Sequence, residues 1–373
     1  MILCIDSGCR VLRAKAYARR RYLLFFISLA VSTVFLLIFQ FSGFSLDLAG
    51  HCGKIATHFA AALFLYLTAF ILIFHLVTIP LSFYQGYIVE HQFGLSNQTL
   101  SRWVDDYLKR FLLSYAFFIL VIEAWYYLLR TLPDNWWIAA AAFWLLCTVI
   151  VRHLFPVLII PLFYRYRPIT DREIRERIFA LANKAHMKLF DVCEINLSKD
   201  TKKANAALAG LGASKRVLLA DTLLEHYSTE EIEVVIAHEF AHHILRHTAK
   251  ALIFSAILSS LGFFVMQRFL GVIAAALHAE VIFQIDIFPM LYLSFLFLNL
   301  LAMPLSNGYS RYLEKRADLF ALELTGLRDS FVSCMQRLAR DNLADISPGR
   351  LIEIFFYNHP PIEKRIAYAQ NIS

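Results

Sequence analysis

Six apolar runs, near 22–44, 58–83, 111–130, 136–163, 250–273 and 287–306, limit what this chain can fold into more than any other feature of it. Each is long enough to cross the hydrocarbon of a bilayer as a helix, which takes about 20 residues. A backbone in lipid must satisfy its own hydrogen bonds, so the expected fold class is mainly α, a polytopic membrane protein. Composition agrees: hydrophobic residues are 59% of the chain and charged residues 17%, a balance that excludes an ordinary soluble domain. The run 136–163 carries Arg152, His153, Pro156 and Pro161, so it should kink or leave the membrane before its end.

Charge sets the orientation. Arg10, Arg13, Lys15 and Arg19 to Arg21 precede the first run, which is too long for a signal peptide and is read as a retained span. By the positive-inside rule this basic cluster stays in the cytoplasm. Six spans then put 84–110, 164–249 and 307–373 on the cytoplasmic side, and 45–57, 131–135 and 274–286 outside, where Lys54 is the only Lys or Arg. The net charge of +7 therefore reflects membrane orientation and anionic lipid headgroups; no pattern points to nucleic acid. Six scattered cysteines, Cys4, Cys9, Cys52, Cys147, Cys193 and Cys334, form neither a metal motif nor a disulfide framework. The expected organisation is a membrane region 1–163 with four spans, a cytoplasmic α+β block 164–249, a transmembrane hairpin 250–306 and a cytoplasmic helical region 307–373.

Within the block, 171–185 has helical periodicity with Thr170 as N-cap, Val192 to Leu197 reads as a strand, and Ala204 to Leu208 and Arg216 to Ala220 flank a hairpin loop over 210–214. Ser228 or Thr229 then caps a long helix with acids in its first turn. That helix carries His238-Glu239-Phe240-Ala241-His242. Histidines four residues apart lie on one helix face and can share one metal, with Glu239 beside them to take a proton from a metal-activated water. Chance would supply about 0.02 such motifs in a chain like this.

A catalytic zinc takes three protein ligands and leaves one position open, so His238 and His242 need a partner. A third histidine in metzincin register would fall at 248, which is Thr248, with glycine at 245, which is Leu245; that option fails. His243 and His247 form another i, i+4 pair, but Ile244 stands where a base would be, and both are read as helix-surface or headgroup-facing residues. Glu314 lies beyond the fifth and sixth spans, so a helical hairpin across the membrane would return it to the side where the histidine helix ends. Asp318, one turn later, is then placed to hold a ligand histidine in one tautomer. The bland alternative is a solvated charged helix, with Glu314 and Asp318 facing Arg311 and Lys315.

Taken with these, the stretch Tyr87 to Thr99 (Tyr-Ile-Val-Glu-His-Gln-Phe-Gly-Leu-Ser-Asn-Gln-Thr), Pro161-Leu162-Phe163, Asn205-Ala206 and the tail His359-Pro360-Pro361-Ile362-Glu363-Lys364-Arg365-Ile366 resemble the integral-membrane zinc metallopeptidases of the type I CAAX prenyl endopeptidase kind. The resemblance implies a barrel of spans around a water-filled chamber, best known with seven spans where six are counted here, and one zinc ion per chain. It further implies that Asn205 and Ala206 bind substrate backbone, that His359 helps bind the oxyanion, and that Arg365 orders the site. A His-Pro-Pro turn would otherwise read as structural. Polar residues inside spans, His75, Glu123, Arg152 and His153, are candidates to line the chamber or to pair between helices.

The expected activity is thus a zinc metalloendopeptidase in the bilayer, with Glu239 and His359 catalytic. Its substrate is a peptide or protein, either prenylated at its C-terminus or a membrane-protein segment without a prenyl group. Short loops and the lack of a dilysine signal favour a bacterial inner membrane over the endoplasmic reticulum. The competing class is a polytopic transporter or metal-handling protein, for which repeated, Gly/Pro-broken spans would be expected.

Overall fold

The apolar runs become helices, and the helices outgrow the bilayer. The computed structural model describes residues 2–210 and 215–371. Its membrane region contains α1 (Ile2–Phe41), α2 (Phe44–Ile55), α3 (Phe59–Phe83), α4 (Glu90–Gln92), α5 (Leu100–Thr131), α6 (Trp136–Leu154) and α7 (Ile160–Phe163). Strand β1 (Tyr166–Pro168), α8 (Arg172–Lys184), β2 (Asp191–Ile195), β3 (Ala206–Ala209), β4 (Arg216–Ala220), α9 (Asp221–His226) and α10 (Thr229–Ile244) follow. The chain ends with α11 (His247–Ala276), α12 (Phe288–Thr325), α13 (Arg328–Asp341), α14 (Arg350–Phe356) and α15 (Ile362–Gln370).

Six helical stretches among the described residues are long and apolar enough to cross a membrane: 10–41, 59–92, 100–131, 136–154, 247–276 and 285–325. Helix α2, with 12 residues, spans about 18 Å and is too short. The run 136–163 breaks as its prolines require: α6 stops at Leu154 and a π-turn, Phe155–Ile159, contains Pro156, which brings no amide hydrogen. A second π-turn, Tyr84–Val89, begins four residues after Pro80. At 38 residues, α12 is about 57 Å long, roughly twice the hydrocarbon thickness. Its second half therefore stands beyond the apolar layer and can carry charge.

The spans close on themselves. Helix α1 packs on α3, α3 on α5, α5 on α6, α6 on α11, α11 on α12, and α12 returns to α1. One end of this ring is filled by Leu36, Phe39, Tyr66, Phe70, Trp125, Trp136, Met266 and Phe288, contributed by all six spans. At the other end, a second core gathers the α+β block, with Ile178, Val217, Leu219, Ile236, Phe240 and Phe331. Between the two, α3, α5 and α12 wall a cavity of about 330 Å³ lined by Phe74, His75, Tyr107, Arg110 and Tyr292 among others.

The block's sheet has the order β1-β2-β4-β3; β2 and β4 run parallel and the outer pairs antiparallel. Tyr166–Pro168 is a strand the sequence did not signal, because three residues ending in proline carry no period-two pattern. The N-cap of α8 is Asp171, whose side chain accepts from Ile174 N (3.1 Å), not Thr170. Strands β3 and β4 pair as the hairpin reading requires, while 211–214 of its loop lie outside the described residues.

Candidate active site

Helix α10 starts with a reciprocal cap: Glu231 N donates to Ser228 Oγ (3.2 Å) and Ser228 N to Glu231 Oε2 (2.9 Å). Glu231 is itself buried, which is tolerable because Ser333 Oγ donates to it (2.5 Å) and Arg337 lies 3.3 Å away, both on α13. With Ile232, Ile236, Phe240 and Ala241 facing the core, the 3.6-residue period turns His238 and His242 toward α12. Glu314 and Asp318, both buried, come from the part of α12 that stands past the apolar layer.

These side chains converge. His238 Nε2 lies 3.1 Å from Glu314 Oε2, His242 Nε2 3.4 Å from Glu314 Oε1, and the two Nε2 atoms are 3.1 Å apart. Ligand bonds of about 2.0–2.1 Å in a tetrahedron put neighbouring donor atoms about 3.3 Å apart, so the set has the spacing of a zinc-sized cation. Glu314 Oε2 is buried without a hydrogen-bond partner, an orphan that a cation would satisfy. The two nitrogens and one carboxylate oxygen suit a divalent metal and leave a position open.

Asp318 fixes the arrangement from behind. Its Oδ1 lies 2.9 Å from His238 Nδ1, and Arg365 reaches it twice, Nε to Oδ2 at 2.8 Å and Nη2 to Oδ1 at 2.6 Å. Burial alone would push the His238 imidazole down, but the carboxylates of Asp318 and Glu314 against its two ring nitrogens outweigh this and hold it up at about 9. Burial, helped by His238, pushes His242 down to about 4. Glu239 is raised above the ordinary carboxylate range by burial, opposed by the nearby His238 charge and by the Leu208 backbone amide. That amide belongs to β3, an edge strand of the sheet.

The register explains why. Asn205 O accepts from Ala220 N (3.0 Å), so Asn205 bonds inward to β4 while Ala206 and Leu208 present their peptide groups to the free edge. The segment just before β3 is tied to the loop after α4. Lys202 N donates to Leu95 O (3.0 Å), Asn97 N to Asp200 O (3.0 Å) and Asn97 Nδ2 to Ser198 O (2.9 Å), and Arg102 pairs with Asp200. Lys203 Nζ donates to Glu90 Oε2 (2.8 Å), and Tyr17 OH to Glu90 Oε1 (2.5 Å). The Tyr87 to Thr99 stretch thus anchors the strand edge beside Glu239.

His359 is half exposed; its Nε2 lies 3.3 Å from Glu314 Oε2 and its Nδ1 bonds the Asn358 side chain (2.8 Å). Sequence reasoning did not mark Asn358. The larger correction is His247, read from the sequence as a surface residue: it is buried, and its Nδ1 lies 3.1 Å from His242 Nδ1. His243 is exposed as expected, and among the described residues the one group of three or more such side chains that could hold a metal is His238, His242 and Glu314. Of the polar residues in spans, His75 lines the cavity and stacks on Tyr107, whereas Arg152 donates to Thr248 and His153 bonds Val149 O. One carboxylate oxygen of Glu123 is buried without a partner.

A hydrolytic metal centre at one mouth of a ring of membrane helices defines the class of membrane-embedded metallopeptidases. The family model described as Peptidase family M48 matches residues 168–373, more than half of the chain, and the chain belongs to that family: it is a multi-pass membrane metalloendopeptidase. Residues 10–165 match the CAAX prenyl protease N-terminal model, described as five membrane helices; this chain has four long spans there and the short α2. It is 32% identical over 371 residues to the uncharacterized metalloprotease YhfN of Bacillus subtilis, covering 96% of this chain and 84% of that one. It is 26% identical over 324 residues to CAAX prenyl protease 1 of Saccharomyces cerevisiae, covering 80% and 70%. The fold matches the crystal structure of S. mikatae Ste24p with a TM-score of 0.86 at 24% identity, covering 97% of this chain and 89% of that one.

Proposed function

We propose that the protein is a zinc endopeptidase whose centre lies on the cytoplasmic face and whose substrate binds as an added strand along β3. The observation that carries this is the spacing of His238, His242 and Glu314 beside a half-buried Glu239. When bound, zinc would polarise the scissile carbonyl and lower the pKa of water. Glu239 takes the proton of the attacking water and hands it to the departing amine nitrogen. Its raised pKa suits both halves of that task. Ala206, with Asn205 fixing the register, offers main-chain hydrogen bonds to an extended peptide, which sets the scissile bond near Glu239. His359, as the imidazolium with its Nδ1–H on the Asn358 side-chain oxygen, donates from Nε2 to the carbonyl oxygen as that gains charge. Arg365 acts through Asp318, keeping that carboxylate ionised and His238 in one tautomer.

The basic residues Arg10 to Arg21, in the part of α1 ahead of its apolar run, and the near-absence of such residues from 45–57, 131–135 and 274–286 support the cytoplasmic placement. The 32% identity to the Bacillus subtilis protein, against 26% to the yeast one, favours a bacterial inner membrane. The named activity of the yeast relative supports a C-terminal prenylated peptide as substrate. Purified protein should therefore cleave a farnesylated C-terminal peptide, with products read by mass spectrometry beside its unprenylated counterpart. Equal cleavage of both would remove the prenyl requirement. Glu239→Gln should keep about one zinc per chain and lose several orders of magnitude in rate; unchanged cleavage by that variant would overturn the mechanism.

A further inference from the structure

His247 is 3% exposed and has no part in the chemistry assigned above. It opens α11, yet its ring returns against α10, with the His242 and His247 centroids 5.1 Å apart and the planes at 74°. The connection that allows this is unusual. Arg246 takes φ 54, ψ 36, the left-handed region that non-glycine side chains disfavour. A strained two-residue joint is thus retained where an extended loop would have carried His247 away.

The two ring nitrogens of an imidazole point to opposite sides. His242 directs Nε2 toward Glu314 and His238 (3.4 and 3.1 Å) and Nδ1 toward His247 Nδ1 (3.1 Å). His247 therefore cannot reach the same cation and instead faces the back of its ligand, the position Asp318 occupies behind His238. With His242 Nε2 donating its lone pair to a metal, the ring's proton sits on Nδ1 and needs an acceptor. We propose that His247 is that acceptor: a positioning residue which takes the His242 Nδ1–H on its own Nδ1 lone pair and fixes the ring's tautomer and orientation toward the metal. The two ligand histidines are then held unequally, His238 by a carboxylate and His242 by a neutral imidazole.

This rests on His238, His242 and Glu314 being the metal ligands. The test measures zinc affinity of the full-length protein in detergent, by competition with a chromogenic chelator and zinc ion alone, with the melting temperature of the zinc-free protein as control. His247→Phe keeps a ring without an acceptor; His247→Asn puts a carbonyl oxygen where Nδ1 stood. The expected result is a loss of about tenfold or more in zinc affinity for His247→Phe, near-native affinity for His247→Asn, and zinc-free melting temperatures that match wild type. Native affinity in His247→Phe overturns the proposal while leaving the ligand set intact, and so does an equal loss in both variants, which would make the role one of packing. Failure of the wild-type protein to bind zinc overturns both readings. If His247→Phe does not fold, His247→Ala takes its place with the same outcomes.

Discussion

Asp318 is fully buried and serves three hydrogen bonds, one with His238 and two from Arg365. Removing it leaves a buried guanidinium without a counter-charge, which costs about 3–5 kcal/mol, so Asp318→Ala should lower the melting temperature sharply even with excess zinc; a variant as stable as wild type would mean that Arg365 finds water instead. Glu239 sets the pH dependence. A base works only when ionised, so kcat/KM falls as pH drops through its folded pKa, and burial places that pKa above the free value of about 4.3. The acid limb of a kcat/KM profile should lie above the ordinary glutamate range. Glu314 was legible at this scale because topology alone returns it to the histidine helix. His247 was not, since its role depends on the left-handed Arg246, and an arginine gives no sign of that conformation.

Among the elements, β3 is the one through which substrate recognition can be tested without touching the metal. It is four residues long, its inner edge is satisfied by β4, and its outer peptide groups, on Ala206 and Leu208, face the site. Ala206→Pro removes one outward N–H at the first residue of an edge strand, where proline is tolerated. The expected result is a fall of about tenfold in kcat/KM, carried by KM, with zinc content and melting temperature retained; unchanged KM would show that peptide does not pair there. Helices α8 and α10 could be read in advance because periodicity is local, although the cap of α8 falls at Asp171, one residue past Thr170. The sheet order could not, because a parallel β2–β4 pair with β3 outermost is decided by packing against α10 and by the loop 94–99.

For the whole molecule, the six spans were readable from hydropathy since the bilayer imposes their length, while the closed ring follows from contacts no local pattern encodes. Sidedness is directly testable. In a variant lacking the native cysteines, Lys188→Cys and Ser347→Cys should be protected from an impermeant maleimide in intact cells, and Asn135→Cys should be labelled. Labelling of Lys188→Cys from outside would invert the orientation.

The aromatic filling at the far end of the ring, from Phe39 to Phe288, closes that end of it. A polypeptide cannot be fed in from one leaflet and drawn out through the other, so whatever arrives must leave by the route it came or between two spans.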